Sequence, residues 1–150
     1  MQLETLRFGL LEIEDNKVIK FPQGLPGFEQ HHAFVLLHPD PELPISYLQS
    51  VDDGYISFVV MDPFLVLPSY EFELSDAVKQ ELELTGPEEV SILAIVTIKD
   101  DIRNATINLK APLVINTQLR IAKQVILHDY PYVTKHPLFA TSPSSAADRG

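Results

Sequence analysis

Five histidines, twenty-one carboxylates and no cysteine limit the chemistry open to this 150-residue chain. Without cysteine there is no disulfide, no thiolate zinc site and no thiol nucleophile. His31-His32 is a doublet, but neighbouring residues on a strand point to opposite faces, which works against chelation by the pair. His128 with Asp129, and His136, read as surface residues. Asp52-Asp53 and Asp100-Asp101 have the residue types for general acid–base work or for a divalent cation. Each pair sits at an expected hairpin turn, where Asp is favoured because its side chain bonds nearby backbone. Asp62-Pro63 opens a turn by the same logic. A hydrolase using Asp52 and Asp62 would need a pocket joining both to a nucleophile or metal. Gly24 and Gly27 are interrupted by Pro26, which lacks the N–H that a phosphate cradle requires. They suit a tight turn with positive φ. GxSxG, HExxH, P-loop and GxGxxG patterns are missing. The residues therefore predict no catalytic centre, no metal and no cofactor.

Charge is unevenly spread. The net charge is −10, yet residues 40–101 hold fourteen acids against Lys79 and Lys99, net −12, and residues 102–136 are net +4. Phosphate backbones select clustered Lys and Arg, so direct nucleic-acid binding is not expected, nor is docking on an anionic membrane. Apolar runs are a few residues long, against the roughly 20 needed to span a bilayer. Met1-Gln2-Leu3-Glu4 lacks the basic and apolar regions of a signal peptide. A cytoplasmic protein is expected.

The elements that must position these residues are short strands. Period-two patterning dominates. Leu6, Phe8 and Leu10 alternate with polar neighbours, and Leu10-Leu11 then suggests a bulge. Glu14–Lys17 reads as a hairpin turn into a strand at Lys17–Phe21. Phe34–Leu37, Ile45–Ser50 and Ile56–Met61 follow as strands. Val90–Ile98 is apolar on both faces, which places it in the middle of a packed sheet. Ile107–Ala111 alternates, Pro112 marks an edge or corner, and Leu113–Ile115 resumes. Arg120–Leu127 fits either helix or strand, and its short β neighbours favour strand. Ser75 offers an N-cap for a short helix near 76–83. The expected fold is mainly all-β: a small β-barrel-like or rolled sandwich of about eight to nine short antiparallel strands with that one helix. Residues 1–139 form a single domain and 140–150 a flexible tail in this reading.

Pro-rich loops supply a display surface. Leu25, Phe28, Phe64, Tyr70, Phe72, Tyr130, Tyr132 and Phe139 flank them, and exposed aromatics on stiff loops mark protein contacts.

The run Phe21-Pro22-Gln23-Gly24-Leu25-Pro26-Gly27-Phe28-Glu29 closely resembles the FliW family of flagellar assembly factors. The likeness continues through Leu48–Asp53, Asp62-Pro63 with Tyr70, Asn108–Asn116 and Gln124–Leu127, spanning roughly residues 8–133. The resemblance implies a non-enzymatic, β-barrel-like bacterial protein. It implies two partners: the translational repressor CsrA, which blocks flagellin mRNA, and flagellin itself. Capturing CsrA lifts repression, and accumulating flagellin captures the factor and frees CsrA. Within that frame the acids Asp52, Asp53, Glu71, Glu73, Asp76, Glu81 and Glu83 are expected to face the basic regulator. Leu25, Phe28, Phe64 and Tyr70 are expected as apolar anchors for a flagellin segment. The rival readings are a general chaperone for flagellin export and the acid-pair hydrolase.

Overall fold

The strand at Val90–Thr97 organises the molecule. The computed structural model describes residues 1–139, so the expected tail lies outside the described residues. In chain order the strands are β1 Gln2–Thr5, β2 Gly9–Glu12, β3 Val18–Lys20, β4 Ala33–Leu37, β5 Ile45–Ser50, β6 Ser57–Met61, β7 Val90–Thr97, β8 Thr106–Ile107, β9 Leu113–Asn116, β10 Ile121–Gln124 and β11 His136–Pro137. Two short helices, α1 Pro63–Val66 and α2 Asp76–Glu81, lie between β6 and β7.

β7 pairs on one edge with β6 through Ala94, Ile95 and Val96, and on the other with β9 through Val90–Leu93 and with β8 through Val96 and Thr97. The β7–β9 pairing closes a seven-stranded barrel, β3-β4-β5-β6-β7-β9-β10, and a short parallel contact between Ile121 and Lys20 returns it to β3. Closure removes the exposed edges that an open sheet would leave. β8 and β11 extend the sheet beyond the barrel, and β1–β2 form a separate ribbon.

Both faces of β7 are covered. Leu93 and Ile95 pack on the interior cluster of Ile19, Phe21, Leu25, Phe34, Leu48, Val60, Leu113, Ile115 and Ala122. Ala94 and Val96 belong to an outer cluster with Met61, Tyr70, Ile107 and Leu109. Val90 and Ile92 pack under α2 with Val78, Leu82 and Val114. Two-sided burial of this kind is why the strand reads as nearly continuous apolar sequence.

Several local expectations are corrected. Leu6–Phe8 is a turn, not strand: Thr5 Oγ1 accepts from Phe8 N–H at 2.9 Å and donates to the Gly9 carbonyl at 2.8 Å, and Gly9 takes φ +68°. This is a three-residue hairpin loop completed by a left-handed Gly, and it leaves Leu6 72% exposed. No bulge follows, because Leu10 and Leu11 keep register with Glu4 and Leu3. Glu14–Lys17 is not a hairpin turn. Asp15–Lys17 forms a 3-10 turn that leads from the ribbon into the barrel. α1 was not expected; Asp62 caps it by accepting from Phe64 N–H at 2.8 Å, with Pro63 at its first position. The expected strand at Ile107–Ala111 survives only as Thr106–Ile107.

α2 carries the foreseen cap, Ser75 Oγ accepting from Val78 N–H. It ends in a Schellman motif: Leu84 N–H donates to Lys79 and Glu83 N–H to Gln80. Glu83 occupies the left-handed position at φ 53°, where Gly is the usual residue. Fully buried Asn116 anchors this end. Its Nδ2 donates to the Leu82 carbonyl at 2.7 Å, and its Oδ1 accepts from Gln118 and Leu119 N–H.

Two stability changes of opposite sign are expected in urea titrations with unchanged slope. Glu83→Gly relieves the left-handed strain and raises the unfolding free energy by about 0.5–1 kcal/mol. Asn116→Ala leaves a buried carbonyl and two N–H groups unpaired and lowers it by about 2–4 kcal/mol.

Candidate functional site

The chain between β6 and β7 wraps the outside of the barrel and builds a groove. Tyr70 is its pivot. The Tyr70 hydroxyl donates to the Leu109 carbonyl at 2.7 Å. Burial first, and the neighbouring Tyr132 second, push this phenol's pKa well above its ordinary value. Its ring meets Phe64 at 5.6 Å, Phe72 at 5.4 Å and Tyr132 at 4.5 Å between centroids.

Beyond Tyr70 the residues alternate. Glu71 and Glu73 are exposed, and Phe72 and Leu74 are half-buried. This is an extended segment without a strand partner. Two tyrosines from the distant C-terminal stretch serve instead. Glu71 N–H donates to Tyr132 Oη at 2.9 Å, and Tyr132 Oη donates back to the Glu71 carbonyl at 2.9 Å. Glu73 N–H donates to Tyr130 Oη at 2.9 Å. The two tyrosine rings are nearly parallel, with centroids 6.0 Å apart.

After α2 the chain returns through Leu84–Pro87. Between this return and the 70–74 segment lies a groove of about 810 Å³, lined also by Phe64, Lys79 and the outward β7 residues Val90 and Ile92. Its volume falls in the range of sites that hold ligands or peptide anchors.

The groove joins residues expected on separate grounds. Glu71 and Glu73 from the acidic set, and Phe64 and Tyr70 from the apolar set, line it together. Phe64 is 40% exposed, whereas Tyr70 is 2% exposed and shapes the groove without offering surface. Asp76 and Glu83 are exposed on α2 and its cap but do not line the groove. Glu81 is already paired: both its oxygens accept from Lys123 Nζ at 2.9 Å, and Gln23 Nε2 donates to it at 2.9 Å.

The expected exposure of Leu25 and Phe28 is corrected. Leu25 is 2% exposed within the barrel interior, and Phe28 packs against the same cluster. The loop folds back through a Leu25–Phe28 bridge with Gly24 and Gly27 at φ +67° and +84°. A Cβ on Gly24 would meet the Glu29 backbone at 2.7 Å, so this turn admits only Gly. Asp52 and Asp53 sit elsewhere, at the β5–β6 turn. Asp52 Oδ2 accepts from His32 and Ala33 N–H at 2.8 and 3.2 Å, and Asp53 Oδ1 accepts from Tyr55 N–H. Sequence reading overlooked Leu74, Leu84, Val90 and Ile92 as groove residues. The period-two run Tyr70-Glu71-Phe72-Glu73-Leu74 was the available sign, hidden because no strand pairs with it.

Catalytic geometry is not assembled from the candidates. Asp52 and Asp62 each satisfy backbone N–H groups on separate turns. Among the described residues, no group of three or more His, Asp or Glu side chains is placed to hold a metal ion. Among them also, no helix is long and apolar enough to cross a membrane.

Fold and groove together define the class: a small, closed, seven-stranded barrel with an acidic–apolar groove on its outer wall. Comparison with known proteins gives the family. Residues 2–138 match the family model described as FliW protein. The flagellar assembly factor FliW of Alkaliphilus metalliredigens (strain QYMF) is 40% identical over 137 residues, covering 91% of this chain and 85% of that protein. The factor of the same name from Geobacillus kaustophilus (strain HTA426) is 42% identical over 139 residues, covering 93% and 96%. A crystal structure of the flagellar assembly factor FliW superposes with a TM-score of 0.88 at 40% identity, covering 94% of this chain and 99% of that one. The chain belongs to the FliW family.

Acid should loosen the groove's supports. Glu81 is held below its ordinary pKa of 4.5, chiefly by the Lys123 hydrogen bond. Glu89 is lowered too, first by Thr85 N–H and then by the Thr85 hydroxyl. Above about pH 4.5 these carboxylates are ionised both folded and unfolded, and their stabilisation is fully present. As pH falls, the unfolded chain takes up protons first, and stability is lost until the folded carboxyls protonate. The urea midpoint should therefore decline below about pH 4.5, and Glu81→Gln and Lys123→Met should each shallow the decline. An unaltered pH slope in both variants would contradict the assignment.

Proposed function

We propose that this chain is a flagellar assembly factor that acts by binding in the bacterial cytoplasm and catalyses no reaction. It captures the translational regulator CsrA, relieving repression of flagellin mRNA, and it binds flagellin, so that flagellin synthesis follows flagellin secretion. The observation that carries this reading is the single groove in which Phe64 and the apolar β7 face meet Glu71 and Glu73. An RNA-binding regulator must present a basic face, and an export substrate with amphipathic segments needs apolar anchors. One groove offering both makes the two partners competitors.

Electrostatics account for the regulator arm. Residues 71–89 carry seven acids against Lys79 alone. Glu71, Glu73, Asp76 and Glu83 make no side-chain ion pair among the described residues. Such a surface steers a basic partner into place and, once docked, repels phosphate. The Debye length is about 8 Å at physiological salt, so the acids act only when they dock close to the RNA path. Glu81 contributes less, since Lys123 neutralises it.

Two measurements test the proposal. Solution mass of the purified chain mixed with CsrA should show a complex, and added flagellin should displace CsrA. A complex with flagellin alone would indicate an export chaperone, and complexes with neither would refute the reading. A quadruple variant, Glu71→Gln, Glu73→Gln, Asp76→Asn and Glu83→Gln, should weaken CsrA binding by about tenfold at low salt. Its salt dependence should flatten and its release of RNA should fail. Unchanged affinity with unchanged RNA release would remove the electrostatic mechanism.

A further inference from the structure

We infer that Phe72 and Leu74 form an open strand edge that takes up an extended peptide alternating apolar with basic residues, through main-chain pairing inside the groove. The inference rests on the reading of the groove as the docking site and specifies how a partner is held there.

The geometry follows from the tyrosine clasp. In an extended segment the N–H and C=O of one residue point to one edge, and those of its neighbours to the other. Glu71 directs its N–H and C=O at Tyr132, and Glu73 directs its N–H at Tyr130. The backbone groups of Phe72 and Leu74 must therefore point to the opposite edge. Among the described residues none of these four groups has a hydrogen-bond partner. The groove lies at that opposite edge, since residues 70–74 line it and neither clasping tyrosine does. Edges of this kind are usually blunted by Pro, Lys or a covering loop. Here the segment contains neither residue, and the edge opens on a groove instead.

Side-chain alternation sets the occupant's chemistry. Phe72 and Leu74 turn inward and Glu71 and Glu73 outward. A strand paired to this edge places its alternate side chains on the same two faces. Its inward residues would rest on Leu84, Val90 and Ile92 and must be apolar. Its outward residues would stand beside Glu71 and Glu73 and are best served by Lys or Arg. This is strand addition, in which backbone bonds hold the peptide and alternate pockets select it.

The test uses the full chain and a blocked hexapeptide of alternating lysine and valine as probe. Amide hydrogen exchange followed by NMR should show Phe72 and Leu74 slowed by about tenfold or more at saturating probe, with Glu71 and Glu73 little changed. Two further probes carry N-methyl groups on the lysines only or on the valines only. Because one peptide edge pairs and the other does not, one of these should bind like the parent and the other about tenfold or more weaker. No binding of the parent probe, no slowing at Phe72 and Leu74, or equal binding of both methylated probes would each overturn the inference. The CsrA and flagellin mixing experiment fails independently: if those proteins bind without protecting Phe72 and Leu74, the function stands and the edge does not. If the probe pairs but neither protein binds, the edge stands and the function does not.

Discussion

Two-sided burial of β7 is the constraint from which the rest of the structure follows. Leu93 and Ile95 fill the barrel, so Val90, Ile92, Ala94 and Val96 must face outward. Fully burying a Val or Ile side chain is worth about 1.5–3 kcal/mol, so a bare outer face would forfeit much of the domain's stability. Closing the barrel through β9 solves the edge problem but uses up both edges of β7. The cover for its outer face must then come from segments that are not barrel strands. α1, the 70–74 segment, α2 and the C-terminal tyrosines provide it.

Cover made this way is incomplete, and its incompleteness is where the chemistry lies. Val90 and Ile92 remain half-buried at the groove. The segment over them is held by two tyrosine hydroxyls rather than by a ladder, and its far end is pinned by Asn116 through the cap of α2. Glu83 retains a left-handed conformation there that Gly would adopt more readily. Strain of this kind commonly accompanies functional surfaces. The acids and the apolar surface thus share a location because both belong to the one segment that covers β7.

Much of the fold was legible in the residues. Nearly continuous apolar sequence at 90–97 announced a central strand, Ser75 announced the α2 cap, and the β context correctly decided for strand over helix at 121–124. Failures have physical causes. Leu6 and Phe8 mimic a strand because alternation is blind to the Thr5 and Gly9 turn chemistry. α1 is four residues long, too short to show a period. The site was half legible. Leu25 and Phe28 sit in a Pro- and Gly-rich loop that looked solvent-facing, and only the fold-back at Gly24 buries Leu25 and packs half-buried Phe28 against the same cluster. The clasp could not be read at all, because Tyr130 and Tyr132 lie about sixty positions from the glutamates they hold.

The central claim is that the cover over β7 is clasped along one edge and open along the other. Residue-resolved hydrogen exchange on the free protein addresses it directly. Amides of β5, β6 and β7 should exchange slowest, Glu71 and Glu73 should show intermediate protection, and Phe72 and Leu74 should exchange close to the free-peptide rate. Uniform protection from Glu71 through Leu74 would contradict the account, since it would mean that the segment already has a partner on both sides.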